Sequence, residues 1–85
     1  MDRGKIKTLI KQLERGKANV RFPDLKRFII DLGFEFDGCE GSHHIYRKKG
    51  EMPISIQPDK RNKSKAKFYQ VNQVIKRAKQ IIKEI

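Results

Sequence analysis

The stretch Phe34-Glu35-Phe36-Asp37-Gly38-Cys39-Glu40-Gly41-Ser42-His43-His44-Ile45-Tyr46-Arg47 is where the hydrophobic period of this chain changes. Phe34 and Phe36 alternate with Glu35 and Asp37, the two-residue rhythm of a half-buried strand. Gly38 to Gly41 offers a turn or bulge, and Ser42 to Arg47 reads as a second strand. Lys48 to Glu51, with Gly50 inside it, reads as a hairpin loop. Pro53 to Gln57 is then a third strand with Ile54 and Ile56 on one face, and Pro53 is tolerable at a strand start or edge.

Upstream of Phe34 the period is helical. Leu25, Phe28, Ile29 and Leu32 recur at helical spacing, with Pro23 suited to the first turn and Gly33 to the C-terminal cap. Asn19 to Phe22 reads as an extended connector. Before it, Ile6, Leu9, Ile10 and Leu13 mark a short amphipathic helix over about Lys5 to Arg15, ended by Gly16. Downstream of the strands, Pro58 to Ala66 is polar and basic with no apolar anchor, which predicts a mobile surface loop. From near Phe68 a final helix follows, with Val71, Val74, Ile75, Ala78, Ile82 and Ile85 on one face and Lys76, Arg77, Lys79 and Lys83 on the other. The expected fold class is α+β: three antiparallel strands packed against helices in two layers.

Size and charge narrow the function. The chain has 85 residues, with 21 basic against 10 acidic residues and a formal net charge of +11. That length makes one small domain with a thin core, and that charge asks for an anionic partner, nucleic acid first and an acidic protein second. A single cysteine, Cys39, permits no intramolecular disulfide and reads as a small buried filler. No apolar run approaches the ~20 residues of a membrane span. The N-terminus leads into an amphipathic pattern rather than a signal peptide, so a reducing, cytoplasmic setting is expected.

Both histidines, His43 and His44, fall on the second strand. Alternating side chains there point apart, so one imidazole is the catalytic candidate unless a bulge at Gly41-Ser42 brings both together. RNA carries its own nucleophile, the 2′-OH, and a single histidine beside phosphate-binding cations suffices for acid or base work without metal or other cofactor. Zinc would need three or four ligands, and Cys39, His43 and His44 lack the spacing of structural sites. Lys48, Lys49, Lys60, Arg61, Lys63, Lys65 and Lys67 sit on the hairpin and long loop, where lysines can follow a phosphate backbone or stand solvated. Ser42 can donate to a phosphate or simply begin its strand. Tyr46 and Tyr69 are open to two readings, base stacking or core packing.

These residues resemble a known family. Gly41-Ser42-His43-His44-Ile45-Tyr46-Arg47, a helix ending Leu32-Gly33-Phe34, then Ile54-Ser55-Ile56-Gln57-Pro58 and Lys67-Phe68-Tyr69-Gln70-Val71, are similar to the HicA toxin family over about Asn19 to Ala78. The resemblance implies a double-stranded-RNA-binding-domain-like fold, α-β-β-β-α. It also implies a ribosome-independent mRNA interferase of a type II toxin–antitoxin system. A HicB antitoxin would hold it inactive by covering the active-site face and would bring it into an oligomeric complex. On this resemblance residues 1–85 form one domain, with 1–16 as an N-terminal helix extension and 19–85 as the core. The family's Gly-Ser-His histidine falls on His43, with His44 the second choice because some members space the motif differently. The third strand ends Gln57-Pro58 where many members carry a histidine, so a second histidine from that position has no counterpart here. An RNA-binding module of the same fold without catalysis is the alternative reading, and a purely protein-binding domain is a third.

Overall fold

Asp2 sets the start of the first helix. In the computed structural model, which describes residues 2–83, its carboxylate accepts from the Lys5 N–H at 3.1 Å and caps α1, Arg3–Arg15. Such a cap is worth about 1 kcal/mol and places the helix start at Arg3, two residues before the expected Lys5. Ile6 and Ile10 are buried in the same core cluster as Leu25 and Ile29, so α1 is part of the domain's core. Leu9 and Leu13 pack partly buried against it. Glu14 at the end of α1 pairs with Lys79 at 2.8 Å, which holds its carboxyl below the usual carboxylate value.

Lys17–Asn19 forms a 3₁₀ turn and α2 spans Phe22–Asp31, so of the extended connector expected over Asn19–Phe22 only Val20 and Arg21 are extended. Pro23 stands in the first turn of α2. At its far end Gly33 adopts φ +96 and donates to Ile30 O at 2.9 Å, while Phe34 N–H returns to Ile29 O at 3.3 Å. This pair of bonds is a Schellman closure, which favours glycine at the left-handed position and packs the following apolar residue back on the helix. Phe34 is that residue, and it is buried. Lys48 Nζ adds a further bond to Leu32 O at 2.8 Å.

The sheet is antiparallel in the order β1-β2-β3, with β1 at Glu35–Glu40, β2 at His43–Arg47 and β3 at Ile54–Ile56. Tyr46, Ile54 and Ile56 face the core with the apolar side of α3, Phe68–Lys83; His43, Arg47 and Ser55 are exposed on the opposite face. The protein is thus α+β, an open three-stranded sheet and helices sharing one core. Along α3 the buried face is Val71, Val74, Ile75, Ala78 and Ile82, joined by Gln70 and Ile81; Ile85 lies outside the described residues. Among the described residues no helix is long and apolar enough to cross a membrane.

Three expectations are corrected. Phe36 pairs with Tyr46 in register, yet it is 53% exposed, because β1 is an edge strand that the helices do not cover. Cys39 is exposed for the same reason, not a buried filler. Residues 58–66 are stitched down rather than loosely tethered: Pro58 bridges Ala66, Arg21 bridges Lys65, Ala66 N–H donates to Val20 O at 2.9 Å and Phe22 N–H to Ser64 O at 2.8 Å. Ala66 is the apolar anchor, buried at 5% exposure. Inside the loop, Asp59 and Asn62 accept from the backbone N–H groups of Arg61 and Ser64, the local side-chain turns that polar residues favour.

Candidate active site

The β1–β2 hairpin turns through Gly41 and Ser42, so Glu40 and His43 face each other across the first rung of the ladder. Toward the other end Phe36 pairs with Tyr46 and Glu35 with Arg47. Between these rungs the register shifts, one extra residue of β1 being accommodated around Asp37 and Gly38, where Gly38 takes φ +102. The bulge lies in β1, not at Gly41-Ser42, and β2 keeps its alternation. The two histidines therefore stay on opposite faces.

His43 is exposed on the open face, its Nδ1 3.4 Å from Ser55 Oγ. Among the described residues its Nε2 makes no hydrogen bond. Ser42 Oγ donates to Gln57 Oε1 at 3.0 Å, and the Gln57 N–H donates to Gln70 Oε1 at 2.9 Å. Gln70 is buried, so this relay fixes the motif strand, the end of β3 and the first turn of α3 to one another. A buried amide whose oxygen is satisfied in this way gives a rigid joint, whereas an unpaired one would be costly. Gln57 and Gln70 carry no pattern that reveals this role in the sequence, since their bonds span 15 and 13 residues.

His44 occupies the other face. Its ring meets Phe22 edge-on at 5.0 Å between centroids and lies 6.1 Å from Phe36. Partial burial, then the charge of Lys26, pulls its pKa below the ordinary 6.5. The folded state thus resists a proton that the unfolded chain accepts, so stability present above about pH 6.5 falls as the pH drops through that value toward the lower folded pKa. Urea midpoints measured from pH 7.5 to 5.5 are expected to decline for the unaltered chain and to decline less for His44→Phe. Parallel profiles would show that His44 does not carry this linkage. Tyr46 is in the core, where burial and, secondarily, Cys39 raise the phenol's pKa above its usual value.

The basic residues divide into two groups. Lys48 and Lys49 follow the last residue of β2, roughly 16 Å along the strand from His43 at ~3.3 Å per residue. Lys48 is further committed to Leu32 O, with its Nζ 5.9 Å from the Phe34 ring centroid. Lys60, Arg61 and Lys63 are exposed on the stitched loop, whose two ends meet at Pro58 and Ala66 next to Gln57. Lys65 Nζ donates to Asn19 Oδ1 at 3.2 Å, and Lys67 Nζ stands 6.0 Å over the Tyr69 ring. Arg21, bridged to Lys65, and Lys26 beside His44 join this end of the molecule, brought there by long-range pairing that no local pattern announces. Phe68 and Tyr69 are both more than half exposed on the first turn of α3.

Among the described residues no three His, Cys, Asp or Glu side chains gather as a metal site. A concavity of about 380 Å³ lies elsewhere, between α1 and α2, over Leu9, Leu13, Val20 and Phe28. Comparison of the chain with protein-family models, with curated proteins and with solved structures gives no match.

Proposed function

We propose that the protein is a HicA-like toxin: an endoribonuclease of a type II toxin–antitoxin system that cleaves mRNA independently of the ribosome and of metal ions. On this reading Asn19 onward is a double-stranded-RNA-binding-domain-like α-β-β-β-α core preceded by α1. The protein acts in the cytoplasm, and a HicB-type antitoxin silences it by covering the sheet face that carries His43. The observation that carries the reading is one exposed imidazole on the open sheet face, linked through Ser42 and Gln57 to the segment that carries Lys60, Arg61, Lys63, Lys65 and Lys67. The exposed rings of Phe68 and Tyr69 add apolar platforms beside those cations, the pairing that single-stranded nucleic acid favours.

The chemistry follows from these groups. Lysines and Arg61 hold the phosphate backbone, an interaction that weakens steeply with salt. Ser42 and Gln57 fix the strand on which His43 stands. His43 then moves a proton while the 2′-oxygen attacks the neighbouring phosphorus.

Purified chain incubated with a long single-stranded RNA in EDTA is expected to yield fragments ending in 2′,3′-cyclic phosphate, with 5′-hydroxyl on the downstream piece. Binding without any cleavage would replace this reading by an RNA-binding module. Neither binding nor cleavage at low salt would favour a protein-binding domain.

A further inference from the structure

We infer that Glu40 is the second catalytic residue of this site, the general base that works opposite His43; the inference rests on the ribonuclease reading. Cleavage by the 2′-OH needs two proton transfers, one from the attacking hydroxyl and one to the leaving oxygen. A single histidine can perform only one at a time. Glu40 is the partner of His43 in the register of β1 and β2, and directly opposed residues share a face of the sheet with their Cβ atoms ~5 Å apart. Both are exposed, and among the described residues no ion pair engages either of them. Neither side chain is thus tied up in an ion pair, and both are exposed where a phosphodiester can reach them.

The bulge supports the assignment independently. Counting from the Phe36–Tyr46 rung without the extra residue, Cys39 would stand opposite His43. With it, Cys39 pairs with His44 on the helix side and Glu40 comes round to His43 on the open side. Bulges recur beside active sites because one inserted residue re-aims every side chain beyond it. Gly38, at φ +102, is the residue that accepts the necessary backbone conformation. The other charged groups of this hairpin, Glu35, Asp37 and Arg47, lie toward the far end, where Asp37 pairs with Arg47.

The step balances without a co-reactant. The Glu40 carboxylate takes the 2′-hydroxyl proton as the 2′-oxygen forms its bond to phosphorus. The bond from phosphorus to the 5′-oxygen breaks, and protonated His43 delivers its proton to that oxygen. A 2′,3′-cyclic phosphate and a 5′-hydroxyl leave, and proton exchange with water restores the pair.

The test is Glu40→Gln in the full chain, assayed for single-turnover cleavage across pH and for RNA binding. The unaltered chain is expected to show a bell-shaped profile, the acid limb from Glu40 and the alkaline limb from His43. Glu40→Gln is expected to slow cleavage about 10²-fold or more, to lose the acid limb, and to bind RNA at least as tightly because a negative charge is gone. Glu40→Asp should recover part of the rate and the limb. Cleavage by Glu40→Gln at the parent rate with an intact bell overturns the inference alone. Absence of cleavage by the unaltered chain overturns the ribonuclease reading and this inference with it.

Discussion

Replacing His43 by Ala is expected to reduce RNA cleavage by about 10²–10⁴-fold, the contribution of a well-placed acid or base. The stability of the protein should scarcely change. His43 is exposed and, among the described residues, its only side-chain hydrogen-bond partner is Ser55 at a long 3.4 Å, so truncation removes little packing. Exposed substitutions of this kind usually stay within about 0.5 kcal/mol. His44→Ala is expected to behave in the opposite way. It removes a ring packed against Phe22 and Phe36, costs on the order of 1 kcal/mol, and leaves cleavage by the folded fraction intact. Cleavage rate and urea midpoint measured on both variants separate the two roles. Loss of cleavage in His44→Ala with retention in His43→Ala would transfer the catalytic role to the helix-facing side of the sheet.

Phe34→Ala is expected to have the largest effect on stability. Phe34 is 2% exposed, closes the Schellman turn of α2, and has Lys48 Nζ and the Arg77 guanidinium each 5.9 Å from its ring centroid. Truncating a buried phenylalanine costs about 3–5 kcal/mol through lost transfer energy and the cavity left behind. A chain of this length has a total stability of roughly 4–13 kcal/mol at 0.05–0.15 kcal/mol per residue. The variant should therefore be largely unfolded if the parent lies at the low end of that range, and show a urea midpoint lowered by about a quarter or more if it lies at the high end. Phe34→Leu, which keeps most of the volume, should fall between them. A midpoint for Phe34→Ala close to the parent's would mean that the ring is not part of the core.

Much of this structure is legible in the residues themselves, and the remainder is hidden for identifiable reasons. The repeats in α1, α2 and α3 mark their buried faces because a helix repeats its environment every turn. Asp2 escapes that reading because a cap is a polar residue outside the repeat. Strand alternation separates His43 from His44, since a two-residue period assigns neighbours to opposite faces. It misleads at Phe36, because the period gives a side chain's face and not whether a helix covers it; Cys39, read as a filler from its residue type, is exposed on the same uncovered strand. The bulge at Asp37 and Gly38 changes the phase midway along β1; Gly38 to Gly41 reads as a turn or bulge, and only the register shows that the bulge lies at Gly38 and the turn at Gly41-Ser42. The loop over 58–66 looks unanchored because its restraints, Ala66 to Val20 and Ser64 to Phe22, come from residues more than forty positions away. At the candidate site, His43 and the loop lysines are legible by residue type. The exclusion of Lys48 and Lys49 from that end, and the presence of Glu40, Gln57 and Gln70, emerge only from the register.

The irregularity in β1 has a second consequence, for how copies of this chain meet. β1 is the outer strand of an open sheet, and a long straight outer strand invites another chain to extend the sheet. Here that strand is bent at Gly38 and lined with Glu35, Asp37 and Glu40. Two copies aligned side by side would have to bring like charges together along an interrupted ladder. The same feature that turns Glu40 toward His43 therefore guards the margin of the sheet against self-association.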